Sequence, residues 1–68
     1  MWYEDEIRYG KTILTNSAGE EFLVMKSVEG EHIGHLNFDK ILVKNLKTGE
    51  IKEFPLGNAQ LLLDIKRR

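Results

Sequence analysis

Apolar residues in this chain recur at every second position more readily than at every third or fourth, which is the mark of extended strands with two distinguishable faces. The pattern is clearest from Phe38 to Phe54, FDKILVKNLKTGEIKEF, where Ile41 and Val43 fall on one face of a strand and Leu42, Lys44 and Leu46 on the other. After the turn, Ile51 and Glu53 oppose Lys52 and Phe54. Lys47-Thr48-Gly49 reads as a three-residue hairpin loop, with Gly49 in the left-handed conformation that only glycine adopts freely. Glu21 to Glu29 predicts the longest strand. Phe22, Val24 and Val28 share one of its faces with Lys26 between them; Leu23, Met25 and Ser27 take the other. The turn before it, Asn16-Ser17-Ala18-Gly19-Glu20, ends in Gly-Glu as the Gly49-Glu50 turn does.

The remaining elements carry weaker patterns. Residues 1–9 predict a short strand or an ordered arm, because strand spacing aligns Tyr3, Ile7 and Tyr9. Its aromatics either cover an open end of the core or offer a contact surface for a partner or for bases. Lys11 to Thr15 predicts a strand, Gly30 to Gly34 a loop, and His35-Leu36-Asn37 a short strand leading into the central hairpin. Pro55 ends the ladder, since it has no N–H to give. Leu56 to Ala59 reads as a tight turn or one helical turn. Residues 60–66 fit either a strand or a helix capped by Asn58. The strand is preferred, because a lone helix of about ten residues is marginal and a last strand closes the sheet. The sum is a single all-β domain over residues 1–68, with 1–9 as an arm and five or six short antiparallel strands in a small barrel or a strongly curved sheet.

Five or six strands joined by glycine turns, with Pro55 to Ala59 as a helical turn before the last strand, make a chain that resembles the small SH3-like barrels, including the Tudor and KOW-type modules. The resemblance lies in strand order and length and implies a non-enzymatic binding module. It brings no functional residues with it, because no diagnostic motif of those modules is present.

Composition changes the picture in three ways. A chain of 68 residues buries only about 60% of its unfolded surface and has no cysteine to staple it, so its core needs good packing or a partner. At 41% hydrophobic and 31% charged residues it is an ordinary globular composition. No apolar run reaches the ~18 residues of a membrane span, and Met1 to Glu6 lacks the form of a signal peptide, so a cytoplasmic protein off the membrane is expected. The net charge of −1 also hides a division: residues 1–39 sum to −5 and residues 40–68 to +4.

Candidate chemistry is sparse. His32 and His35 have the H-x-x-H spacing of a metal site with Glu31 beside them, but a glycine-flanked loop fixes neither ring, and no metal or other cofactor is expected. There is no nucleophile elbow, no phosphate-binding glycine loop and no cysteine nucleophile, so catalysis is not expected. The acidic cluster Glu4-Asp5-Glu6 sits on a terminus. Two surfaces remain. One is apolar: Leu23, Met25, Leu42 and Leu46 on the second strand face, with Trp2 and Tyr3 of the arm, suit a protein partner or a second copy in a homodimer. The other is basic: Lys40, Lys44, Lys47 and Lys52 on the hairpin, with Lys66, Arg67 and Arg68, suit nucleic acid. Lys44 and Lys52 both point away from the Ile41 and Ile51 face, and the register decides whether they form one patch. A protein-interaction or regulatory role is the leading expectation and nucleic-acid binding the alternative.

Overall fold

The computed structural model describes residues 1–67. In chain order they form a 3-10 turn at Glu4–Glu6, then β1 (Ile13–Thr15), β2 (Glu21–Val28), β3 (His32–Ile33), β4 (Leu36–Asn37), β5 (Lys40–Asn45), β6 (Ile51–Pro55), α1 (Leu56–Leu62) and β7 (Asp64–Ile65). Five strands make one sheet in the order β6-β5-β2-β1-β7, antiparallel throughout, while β3 and β4 form a separate two-stranded ribbon. The sheet does not close into a barrel: β6 and β7 are its two edges.

The inner face carries the core. Leu14, Phe22, Val24, Ile41 and Val43 are buried on it, in rows fixed by the pairs Leu14 with Phe22 and Val24 with Val43. At the β6 edge Phe54, opposite Ile41, packs edge-on against Phe22 with ring centroids 6.2 Å apart. Ile7, Trp2, Ala59 and Leu63 cover this face from the other side. Trp2 is only 2% exposed, and its indole N–H donates to the Leu63 carbonyl at 2.8 Å. Of the short strand or ordered arm expected at residues 1–9, the strand does not form; the segment carries the 3-10 turn instead. Its form follows from local bonds: the Tyr3 N–H donates to the Glu6 carboxylate at 2.9 Å, and the Glu6 N–H to the Tyr3 carbonyl at 2.9 Å.

The stretch 60–66 is also corrected. Helix α1 begins straight after Pro55, whose fixed φ suits a helix start, and not at Asn58; it runs through Leu62 and leaves only Asp64–Ile65 as strand. The reason is topological. β6 lies on one edge of the sheet and β7 on the other, so the chain must cross the core between them. A helix that buries Ala59 and delivers Leu63 does this while bonding its own backbone.

Two turns close one end of the sheet by the same device. The Asn16 side-chain oxygen accepts the N–H groups of Ala18 and Glu20 at 3.0 Å each. That of Asn45 accepts those of Lys47 and Thr48 at 2.8 and 3.2 Å. Asparagine can hold the backbone of its own turn in this way, and both turns end in a glycine of positive φ, Gly19 and Gly49. Because Asn45 pairs with Glu50, the hairpin loop is four residues, Leu46 to Gly49, and not three.

Candidate binding surface

The register assigns every strand residue to a face, and the outer face is where the predicted apolar residues meet. β1 pairs Ile13 with Leu23, β2 pairs Leu23 with Lys44, and β5 pairs Lys44 with Ile51. A row Ile13–Leu23–Lys44–Ile51 therefore crosses four strands. Leu42 lies in the next row between Lys26 and Glu53. Ile13, Leu23, Met25 and Leu42 are half-buried, and Ile51 and Leu46 are exposed. Every buried apolar residue of the domain belongs to the opposite side.

A β-bulge at Met25 helps to build this face. The pairing steps from Val24–Val43 to Lys26–Leu42, so Met25 has no partner. One extra residue reverses the alternation: Lys26 and Val28 turn outward and Ser27 inward, the reverse of the regular pattern expected for this strand. The bulge sits where the Gly10 N–H donates to the Val24 carbonyl at 2.7 Å and the Val24 N–H to the Thr12 carbonyl at 3.0 Å.

The sequence-predicted apolar residues thus divide. Leu23, Leu42, Met25 and Leu46 share the outer face, joined by Ile13 and Ile51, which sequence reasoning left out although their strand parity, once the register is known, places them there. Tyr3 is exposed beside the 3-10 turn. Trp2 does not belong with them, because the indole is sealed in the core. Leu61 and Leu62 of α1 are exposed as well, on a separate surface.

The basic residues are not brought together. Lys44 faces outward opposite Ile51, whereas Lys52 pairs with Val43 and faces inward at the sheet edge, where its ammonium lies 6.0 Å from the Phe54 ring centroid. The register therefore does not bring these two lysines into one patch. Lys40 lies 4.0 Å from the Glu53 carboxylate, Lys52 lies 3.4 Å from that of Glu50, and Lys66 is paired with Glu21. Lys47 stands in the turn, Arg67 follows β7, and Arg68 lies outside the described residues.

The histidines sit on the ribbon. Gly34-His35 is a two-residue turn with Gly34 at φ 60°, so Ile33 faces Leu36 and His32 faces Asn37. The His32 ring lies 3.3 Å from the Asp39 carboxylate, which also accepts the Gly30 N–H at 3.0 Å. Among the described residues, no three His, Asp or Glu side chains converge in a way that could hold a metal ion. No helix among them is long and apolar enough to cross a membrane.

Two carboxylates are held below their ordinary range. Asp39 is lowered chiefly by the Gly30 N–H, then by Asn37 and His32. Glu20 is lowered chiefly by the Asn16 amide and further by that of Asn45, with Lys52 and Lys47 adding to it. A carboxylate with a depressed folded pKa adds stability at pH above its unfolded value near 4 and loses it as pH falls through the folded one. Melting temperature should therefore be flat from pH 7 to about 5 and then fall. Asn16→Ala should weaken the Glu20 part of that fall; an unchanged acid limb in this variant would count against the Asn16–Glu20 bond.

No family model matches the chain, and searches of curated proteins and of solved structures likewise return no match.

Proposed function

We propose that this chain is a non-enzymatic binding module of SH3-like architecture that takes a protein partner against the outer face of its sheet. The architectural part is supported by the strand order, in which the last strand joins the first after a helical crossing, although the sheet stays open. The functional part rests on one observation: Ile13, Leu23, Leu42 and Ile51 form an apolar centre across four strands with no element packed over it among the described residues. Around that centre stand the ion pairs Lys40–Glu53 and Lys66–Glu21. An apolar centre with a charged rim is the usual anatomy of a protein interface. Lys44 fits within it, because its aliphatic stem can lie along Leu23 and Ile51 with the ammonium in water.

Pairing along the exposed edge of β6 is a poorer route to association. In antiparallel self-pairing that preserves the sheet faces, the two registers centred nearest the middle of β6 set Glu53 against Glu53 or Lys52 against Lys52, and like charges directly opposite are destabilising. Pro55 also removes a donor. The β6 edge therefore disfavours self-pairing, and the outer face carries no such repulsion.

Light scattering at several protein concentrations, at low and high salt, tests the face. A dimer that survives high salt is expected, and Leu42→Glu should abolish the association that persists at high salt, with the circular dichroism spectrum unchanged. Association that persists unchanged in Leu42→Glu and in Leu23→Glu overturns this use of the face. Loss of folding in both variants would make these leucines core residues.

A further inference from the structure

The ribbon β3-β4 has no second layer of its own. Ile33 and Leu36 are direct partners and therefore lie on one side, and the Phe38 N–H bonds the Glu31 carbonyl at 2.9 Å, which continues the ribbon and puts Phe38 on that same side. These three side chains are 58%, 60% and 48% exposed. A two-stranded ribbon is marginal in water without something packed on its apolar side. The charges around it are mostly negative: Glu29, Glu31 and Asp39, against Lys40 at its base.

At the other side of the sheet, the edge formed by β1 and β7 holds a cleft of about 390 Å³ lined by Lys11, Thr12, Ile13, Ile65, Lys66 and Arg67. It combines two isoleucines with three cations. Lys66 is engaged by Glu21, so Lys11 and Arg67 supply the free charge. The strands β3 and β4 pair only with each other, and the ribbon rises from the Val28 end of β2 and the Lys40 end of β5, whereas the cleft lies across β1 at the β7 edge, so the ribbon does not pack in its own cleft.

We infer that the Ile33–Leu36–Phe38 side of the ribbon of one copy docks in the Lys11–Ile13–Ile65–Arg67 cleft of a second copy, and that the exchange is reciprocal across a two-fold axis. Charge complementarity selects this occupant: an apolar patch with an acidic surround meets an apolar cleft with a basic one. The division between an acidic first part and a basic last part of the chain thereby gains a structural role. A reciprocal exchange closes at two copies, whereas an unreciprocated contact would grow into open chains. The contact shares Ile13, and Lys66 of the rim, with the outer face and does not depend on that face being used.

A charge-swap mixing experiment, run in the Leu42→Glu background to silence the outer face, tests the exchange by solution mass. Glu29→Lys with Glu31→Lys gives a basic ribbon over a basic cleft; Lys11→Glu with Arg67→Glu gives an acidic ribbon over an acidic cleft. Each alone should be monomeric, and their equimolar mixture should form a heterodimer, since both contacts are then complementary. The parent dimer should weaken at least tenfold between low and high salt, and Leu36→Glu should be monomeric with an unchanged melting temperature. A mixture that stays monomeric, or a parent that is monomeric at low salt and high concentration, overturns the proposal. So does a Leu36→Glu variant that associates as the parent does.

Discussion

Trp2→Ala should leave little or no folded protein at 37 °C. The side chain is the largest that is fully buried, and truncating a buried tryptophan costs about 3–5 kcal/mol in transfer and cavity terms. The loss of its N–H also strips the Leu63 carbonyl of a buried partner, adding to the cost. A domain of this size has only roughly 3–10 kcal/mol in total, so the change removes most of the reserve. Its position explains why so much depends on it. Trp2 ties the start of the chain to the residue between α1 and β7, and with it closes the core on the side opposite the sheet. Thermal melting followed by circular dichroism measures the effect. Trp2→Phe separates the two contributions: it keeps an aromatic ring but loses the bond to Leu63, and should lose about 1–2 kcal/mol, or about 5–15 °C in melting temperature. A Trp2→Ala variant that melts within a few degrees of the parent would show that the N-terminal segment is not part of the core.

The fold was legible wherever a local pattern was enough and illegible where one residue of offset or a distant partner decided. The alternation of Ile41 and Val43 against Leu42 and Lys44 reads correctly, as does the positive φ of Gly49. The placement of Lys52 does not. A three-residue loop would set Lys44 opposite Lys52 and join them in a basic patch; the four-residue loop that Asn45 organises sets Lys44 opposite Ile51 and sends the two lysines to opposite faces. The bulge at Met25 acts in the same way on Ser27 and Val28. Strand parity is so sensitive because side chains alternate with a period of two. Trp2 was legible only in part: covering an open end of the core was one of the two readings of the N-terminal aromatics, but its partner is 61 residues away and nothing local singles it out from Tyr3. The ribbon, by contrast, had a local signal in Ile33-Gly34-His35-Leu36, with glycine at the first of two turn positions, but its strands are only two residues long. Of the candidate surface, the apolar residues of one strand face could be read directly. That Ile13 and Ile51 complete it could not, because only the pairing of four strands brings them into one row.

Gly30→Ala should release the ribbon from the sheet while leaving the main core folded. Gly30 has no unusual φ; its requirement is space, because a Cβ there would overlap the Phe38 carbonyl oxygen and lie 2.5 Å from the carbonyl carbon. The neighbour is backbone and cannot rotate away as a side chain would. One of the two peptide segments must move, and the bonds Gly30 N–H to Asp39 and Phe38 N–H to Glu31 then break or stretch. Two lost hydrogen bonds and the strain of an overpacked contact together cost about 2–4 kcal/mol. That cost falls on residues 29–39, which contribute nothing to the buried core, so global melting should drop by less than the local damage suggests. Amide hydrogen exchange distinguishes the two: protection of Phe38 and Gly30 should collapse toward the unfolded rate while Val24 and Val43 keep theirs. Glu31 remains available in the variant, yet the ribbon's apolar side is no longer held in one place, so the exchange between copies should weaken along with it. Equal loss of protection at Phe38 and Val24 would mean instead that the ribbon and the sheet unfold as one unit, and that the ribbon is part of what holds the domain together.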